Sequence, residues 1–151
     1  MSRRFGVISD THGLLRSSAL AALRGVELIL HAGDVGSEEV LHGLKQVAPT
    51  RAVRGNTDGH HLGLPETEVV ELGPDLSVYL IHDLGRLDLD PGAAGFAAVI
   101  YGHSHHPTIS NERGVLYFNP GSAGPQRFTL PVTLGLLHLE HGALRGELLE
   151  I

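Results

Sequence analysis

Phe5-Gly6-Val7-Ile8-Ser9-Asp10-Thr11-His12 decides the reading of this chain: a short apolar run closes on an aspartate and a histidine two residues apart. An apolar run of this length, bounded by polar turn residues, reads as a buried strand. Four further runs end in the same way. Val26 to Leu30 leads to Gly33-Asp34, and Arg51 to Arg54 leads to Gly55-Asn56-Thr57-Asp58. Val78 to Ile81 stops at His82, and Ala97 to Tyr101 stops at Gly102-His103-Ser104-His105. In open α/β sheets the loops at the carboxyl ends of parallel strands converge on one crevice. Aspartate, asparagine and histidine delivered there from five places suit a metal centre better than a random surface.

Helical patterns lie between the first strands. In Leu14 to Arg24, Leu15, Ala19, Ala22 and Leu23 repeat at helical spacing, and Gly25 is placed to end the helix. Ser37 is placed to cap a second helix running through Lys45, with Glu38 and Glu39 in its first turn. This βαβαβ opening predicts a parallel sheet. The second half is β-rich. Thr67 to Leu72 and Ser77 to Ile81 flank the turn Gly73-Pro74-Asp75, and Asp90-Pro91 can start one helical turn. Thr108 to Asn111, Val115 to Phe118, Val132 to Glu140 and Ala143 to Ile151 read as strands, the last two joined at His141-Gly142. The expected fold is α/β, with two packed mixed β-sheets flanked by a few helices in a single domain, residues 1–151.

Composition narrows the chemistry. A hydrophobic content of 42% with 19% charged residues is ordinary for a soluble globular chain. With no cysteine, disulfides, thiolate zinc sites and cysteine nucleophiles are excluded, which fits a cytoplasmic location. Met1-Ser2-Arg3-Arg4 leads straight into the first strand, so no secretory signal is expected, and no stretch is apolar enough for a membrane span. Eleven Lys and Arg against 17 Asp and Glu argue against a polymeric nucleic acid as partner.

Each polar knot has an ordinary reading by itself. Asp10 can be a helix cap, Asp34 a turn aspartate, and His82 a buried histidine with one hydrogen bond. His103 and His105 form the strongest pair, because histidines two apart at a strand end face the same way. The joint order is far more specific. D-x-H, GD, GN-x-D, H and GH-x-H in succession resemble the calcineurin-like metallophosphoesterase superfamily. Asn119-Pro120-Gly121-Ser122 is similar to the NPGS segment of its small bacterial and archaeal phosphodiesterases, and Gln126-Arg127 stands where that subgroup often has Pro-Arg.

The resemblance implies two divalent metal ions. One would be held by Asp10, His12, Asp34 and His105, the other by Asp34, Asn56, His82 and His103, with Asp34 bridging. Such a donor set suits manganese, nickel, cobalt, iron or zinc, with manganese preferred, and disfavours calcium and magnesium. The implied reaction is hydrolysis of a small-molecule phosphate ester, chiefly a diester, by in-line attack of a hydroxide between the ions. Asp34, Asn56 and His103 would carry the catalysis. Two alternatives share the pattern: a noncatalytic scaffold like the retromer subunit of this fold, and a nuclease. A homo-oligomer is compatible with either.

Several positions depart from the pattern or carry two readings. Thr57 stands where many members have histidine, and it cannot act as a general acid near neutral pH. His60, His61 and His106 are then candidates by proximity, or simply solvated surface residues. Asp58 reads as orienting a histidine ligand, or as a turn residue. Asp83-Leu84 follows His82 in place of the usual glycine, and the segment from Leu84 to Phe96 is too short for a full helix, which predicts a more open pocket. His31 reads as a buried strand-end histidine, and Arg127 as a phosphate contact or a surface ion pair. Asn119 to Ser122 reads as a rigid turn holding the histidine loops.

Overall fold

Alternation along each strand sorts its side chains between cores, and this is what builds the layers. The structure is a computed structural model that describes residues 2–151. Strand β1 (Ser2–Ile8) turns Phe5 and Val7 into a central core and Ile8 toward the helices. Strand β5 (Leu76–Ile81) turns Val78 and Leu80 into the same central core, and Tyr79 and Ile81 outward. That central core lies between two five-stranded sheets.

The first sheet has the order β10-β9-β1-β2-β3, with β2 at Ile29–His31, β3 at Thr50–Ala52, β9 at Thr133–Glu140 and β10 at Ala143–Glu150. β1, β2 and β3 run parallel, while β9 is antiparallel to β1 and to β10. The second sheet has the order β4-β5-β6-β8-β7, with β4 at Thr67–Gly73, β6 at Phe96–Ile100, β7 at Thr108–Glu112 and β8 at Val115–Asn119. Its inner strands β5, β6 and β8 are parallel, and β4 and β7 pair antiparallel at its edges. Helices α1 (Ser17–Ala22) and α2 (Glu38–Lys45) cover the first sheet through Ala19, Val40, Leu41 and Leu44.

The expected architecture of two mixed sheets with few helices is what the chain forms. The differences are local. The first helix begins at Ser17 rather than Leu14, because residues 11–16 form a loop in which the Leu14 amide bonds to the Thr11 carbonyl. β2 reaches His31, and β3 ends at Ala52 because the Arg54 amide turns away to the Pro65 carbonyl. Ser37 occupies the N-cap of α2, but its side chain makes no capping bond. Short helical turns also form at His60–Leu62 and Leu84–Arg86. The parallel strands all point one way within each sheet, so the loops after β1, β2, β3, β5, β6 and β8 collect at one end.

Phe118 on β8 is fully buried between the sheets, and two glycines make room for its ring. A Cβ on Gly135 would lie 2.4 Å from the ring and one on Gly146 3.1 Å from it. Phe118→Ala is therefore expected to cost about 3–5 kcal/mol through the cavity it leaves. Gly135→Ala should cost about 1–3 kcal/mol by overpacking the same spot. Urea unfolding checks both: each midpoint should fall with an unchanged slope.

Candidate metal centre

The loops that converge are held in conformations most residues avoid. Asp10, His12, Asp34, His103 and His105 all adopt positive φ, between 46° and 74°. Aspartate and histidine tolerate this region better than bulky apolar residues, yet each instance costs on the order of 1–3 kcal/mol. Glycines let the loops approach. A Cβ on Gly33 would strike the His82 ring, one on Gly55 would strike Asp34, and one on Gly102 would strike Ser9 and Asp10. The Gly-Asp, Gly-Asn and Gly-His pairings of the sequence are thus contacts between different loops, each glycine admitting a side chain from elsewhere.

The seven residues singled out in the sequence come together. Asp10, Asp34, His82 and His105 are buried, His12 is half-buried, and Asn56 and His103 are exposed on one side. His105 Nε2 lies 3.4 Å from Asp10 Oδ1 and 3.4 Å from His12 Nε2. His12 Nε2 is 3.8 Å from Asp10 Oδ1 and 3.7 Å from Asp34 Oδ2. On the other side, His82 Nε2 is 3.3 Å from Asp34 Oδ2 and 4.0 Å from Asp10 Oδ1. Asn56 Oδ1 sits 3.0 Å from His82 Nε2 and 3.1 Å from His103 Nδ1. Two groups have ligand atoms close enough to share one ion: Asp10, His12 and His105, and Asp10, Asp34 and His82. Asp10 belongs to both groups, whereas the family resemblance implies Asp34 as the shared ligand. Asp34 Oδ2 nevertheless faces histidines of both sides.

The donor chemistry of the cluster suits a cation. Asp10 Oδ2 accepts from the Ser9 hydroxyl at 2.7 Å and the His103 amide at 3.1 Å, but Oδ1 is buried with no hydrogen-bond partner. Asp34 Oδ1 accepts from the Thr57 amide at 2.9 Å, leaving Oδ2 turned inward. The His82 Nδ1–H donates to the Ala32 carbonyl at 2.7 Å, so in the neutral ring the Nε2 turned toward the carboxylates is a lone pair. Acceptors therefore face acceptors, a costly arrangement for buried groups unless a positive charge sits between them. Proton equilibria point the same way. Burial alone would raise the Asp10 and Asp34 carboxyls, yet the His105 and His82 rings that face them, once protonated in the metal-free protein, hold both below the ordinary range. Burial would lower His82, but Asp34 and Asp10 raise it. Carboxylate, imidazole and amide oxygen converging in this way fit a transition-metal pair.

A surrounding layer fixes the loops. Asp58 Oδ2 accepts from the Val35 and Gly55 amides at 3.1 and 2.9 Å, and Oδ1 from the Gly36 amide at 2.9 Å. Asp58 thus bonds no histidine. It ties the Asp34 loop to the Asn56 loop, a correction to its reading as a histidine orienter. His31 is buried between Thr11 and Gly33, accepting from the Gly33 amide at 3.1 Å and donating through Nε2 to the Thr11 hydroxyl at 3.0 Å. Asn119 donates to the Gly102 carbonyl and the Ser104 hydroxyl, and Ser122 donates to the Asp10 carbonyl, so the Asn119–Ser122 turn holds the histidine loop as expected. Arg127 is exposed on the loop after that turn, and His60, His61 and His106 are exposed as well; none belongs to the cluster. Asp83 is occupied locally, accepting from the Gly85 amide at 2.9 Å.

A cavity of about 800 Å³ opens beside Asn56, His82 and His103. It is also lined by Arg54 and Arg86, which the motif reading did not single out. Their only signal was position: Arg54 immediately precedes Gly55, and Arg86 follows His82 by one short turn.

The calcineurin-like phosphoesterase superfamily domain matches residues 4–142. The chain belongs to that superfamily. A Methanocaldococcus jannaschii protein named "probable metallophosphoesterase" is 38% identical over 130 residues, spanning 78% of this chain and 66% of its own length. A Methanothermobacter thermautotrophicus protein of the same name is 36% identical, over 95% of this chain and 90% of its own. A solved archaeal phosphodiesterase superposes with a TM-score of 0.81 at 26% identity, covering 97% of this chain and 99% of that one. Vacuolar protein sorting 29 from Cryptosporidium parvum superposes with a TM-score of 0.73 at 22% identity, covering 99% and 98%, and shows the shared phosphoesterase fold alone. No helix among the described residues is long and apolar enough to cross a membrane.

His31 gives this superfamily member an acid-sensitive element. Burial holds its pKa at about 4, against an ordinary 6.5. The unfolded chain takes up this proton near pH 6.5 and the folded protein only near 4, so acid favours unfolding across that window. The metal-free protein is expected to lose up to about 3 kcal/mol between pH 6.5 and 4. Urea unfolding at stepped pH checks this, and His31→Gln should flatten the slope.

Proposed function

We propose that the chain is a dinuclear metal-dependent phosphodiesterase acting on small phosphate esters in the cytoplasm, with manganese as the preferred ion. Asp10, His12, Asp34 and His105 would hold one ion, and Asp34, Asn56, His82 and His103 the other. The observation that carries this reading is the buried, unpartnered Asp10 Oδ1 facing ring nitrogens, beside an inward-turned Asp34 Oδ2. Membership of the superfamily and the names of the relatives support the reaction class. When bound, such a pair of ions supplies Lewis acidity toward a phosphoryl oxygen and acidifies water.

The chain's own residues set the rest. Asp34 is fixed through its Oδ1 bond to the Thr57 amide, so its other oxygen stays between the two histidine groups. Asn56 and His103 stand at the exposed edge, where a phosphate ester reaches the centre first. Thr57 has no proton to give a departing alkoxide near neutral pH, so protonation falls to solvent and esters of acidic alcohols react fastest. The filled donor positions weigh against a noncatalytic scaffold, and the excess of carboxylates weighs against a nuclease.

Manganese loading followed by metal analysis and bis(4-nitrophenyl) phosphate hydrolysis tests this. The wild type should carry two ions per chain and hydrolyse the ester. Asp34→Ala should lose both ions and reduce hydrolysis by about a hundredfold or more, since even residues that only orient metal ligands cost up to that much. His105→Ala should deplete one ion before the other. A protein that takes up no manganese, or an Asp34→Ala variant that keeps two ions, contradicts the assignment.

A further inference from the structure

We propose that the cavity beside the centre is a subsite for an uncharged, nucleoside-sized arm of the diester, with Arg86 as its specificity-determining residue. This inference rests on the phosphodiesterase reading of the centre. Size is the first argument. At about 800 Å³ the cavity falls within the range that holds drug-sized ligands, far more than a methyl or glyceryl group fills.

Charge is the second. The cavity wall carries two guanidiniums, Arg54 and Arg86, against three carboxylates, Glu66, Asp83 and Asp88. Arg54 is already engaged: its Nε donates to the Asp58 carbonyl at 3.2 Å, and its Nη1 lies 3.8 Å from Glu66. One oxygen of Asp83 accepts from the Gly85 amide. Arg86 and Asp88, both exposed, line the cavity as a guanidinium donor and a carboxylate acceptor, with no side-chain hydrogen bond of their own among the described residues. A wall with carboxylates in excess repels a second anionic group. It suits an arm that offers acceptor atoms to a guanidinium and hydroxyl donors to a carboxylate.

The third argument is shape. Tyr79 and Ile81, both nearly buried, line the same cavity and give it an apolar floor. Arginine also stacks on flat rings. A nucleoside combines a flat face, ring acceptors and sugar hydroxyls, and carries no charge of its own. Arg86 reaches this wall because Asp83 caps the Leu84–Arg86 turn, so the Asp83-Leu84 departure from the superfamily pattern acquires a purpose.

Three esters sharing a 4-nitrophenolate leaving group test the subsite on the manganese-loaded full chain: the methyl diester, the thymidine 5′-diester, and the thymidine 5′-diester bearing a 3′-phosphate monoester. The thymidine diester should show a KM about tenfold below that of the methyl diester, the worth of one charge-assisted hydrogen bond. Arg86→Gln should lower the thymidine-to-methyl ratio of kcat/KM by a similar factor, and the 3′-phosphate should raise KM. Titration calorimetry with thymidine 5′-phosphate and with inorganic phosphate gives a readout independent of turnover. The nucleotide should bind the wild type about tenfold more tightly than Arg86→Gln, with a much smaller difference for phosphate. Equal KM values, an unchanged ratio in Arg86→Gln, or tighter binding of the 3′-phosphorylated ester overturns the subsite. Differential nucleotide binding without hydrolysis of any ester upholds the subsite and overturns the phosphodiesterase reading instead.

Discussion

A carboxylate oxygen buried without a proton donor is the constraint on which this structure turns. Asp10 Oδ1 sits with no exposed surface, facing histidine nitrogens of three loops, while its companion oxygen is saturated by Ser9 and His103. Hydrogen bonds within the protein cannot relieve the whole cluster, because the groups turned inward are acceptors. Protonating His82 relieves one contact, and its raised pKa expresses that pressure. Two divalent ions would relieve all of them at once. The tight loops, the glycine contacts and the bonds that stabilise the loops hold this arrangement in place.

Holding it is expensive, and the expense is concentrated. Nine non-glycine residues among those described have positive φ, and five of them are the candidate ligands Asp10, His12, Asp34, His103 and His105. Strain of this kind persists only where the surroundings over-determine the backbone. Here they do. Asp58 fastens three amides from two loops, Asn119 and Ser122 fasten the histidine loop and the Asp10 loop, and His31 with Thr11 closes the base. The two sheets supply the rigid frame from which the loops spring, with Phe118 packed between them.

Much of this was legible in the sequence, because strand alternation and terminal polar knots are local signals. The ten strands are close to the apolar runs, and each knot lies at the end its strand predicts. What was not legible depends on partners distant in the chain. Asp58 looks like any turn aspartate until the folded loops bring Val35 and Gly36 to it. The first helix looked longer because Leu14 and Leu15 keep helical spacing, but the chain needs residues 11–16 as a loop to bring His12 round. Arg54 and Arg86 belong to no motif, and only the loop after β3, tied to Pro65, and the short turn after His82 bring them to one cavity. The likeness to vacuolar protein sorting 29 carries the same lesson: the frame is shared, and function must be argued from the loops.

The most direct test of the central claim is anomalous diffraction from a crystal of the manganese-loaded protein. The account predicts two peaks roughly 3.5–4 Å apart, one among Asp10, His12 and His105, the other among Asn56, His82 and His103, with Asp34 touching both. A single peak, or peaks away from these side chains, would contradict it.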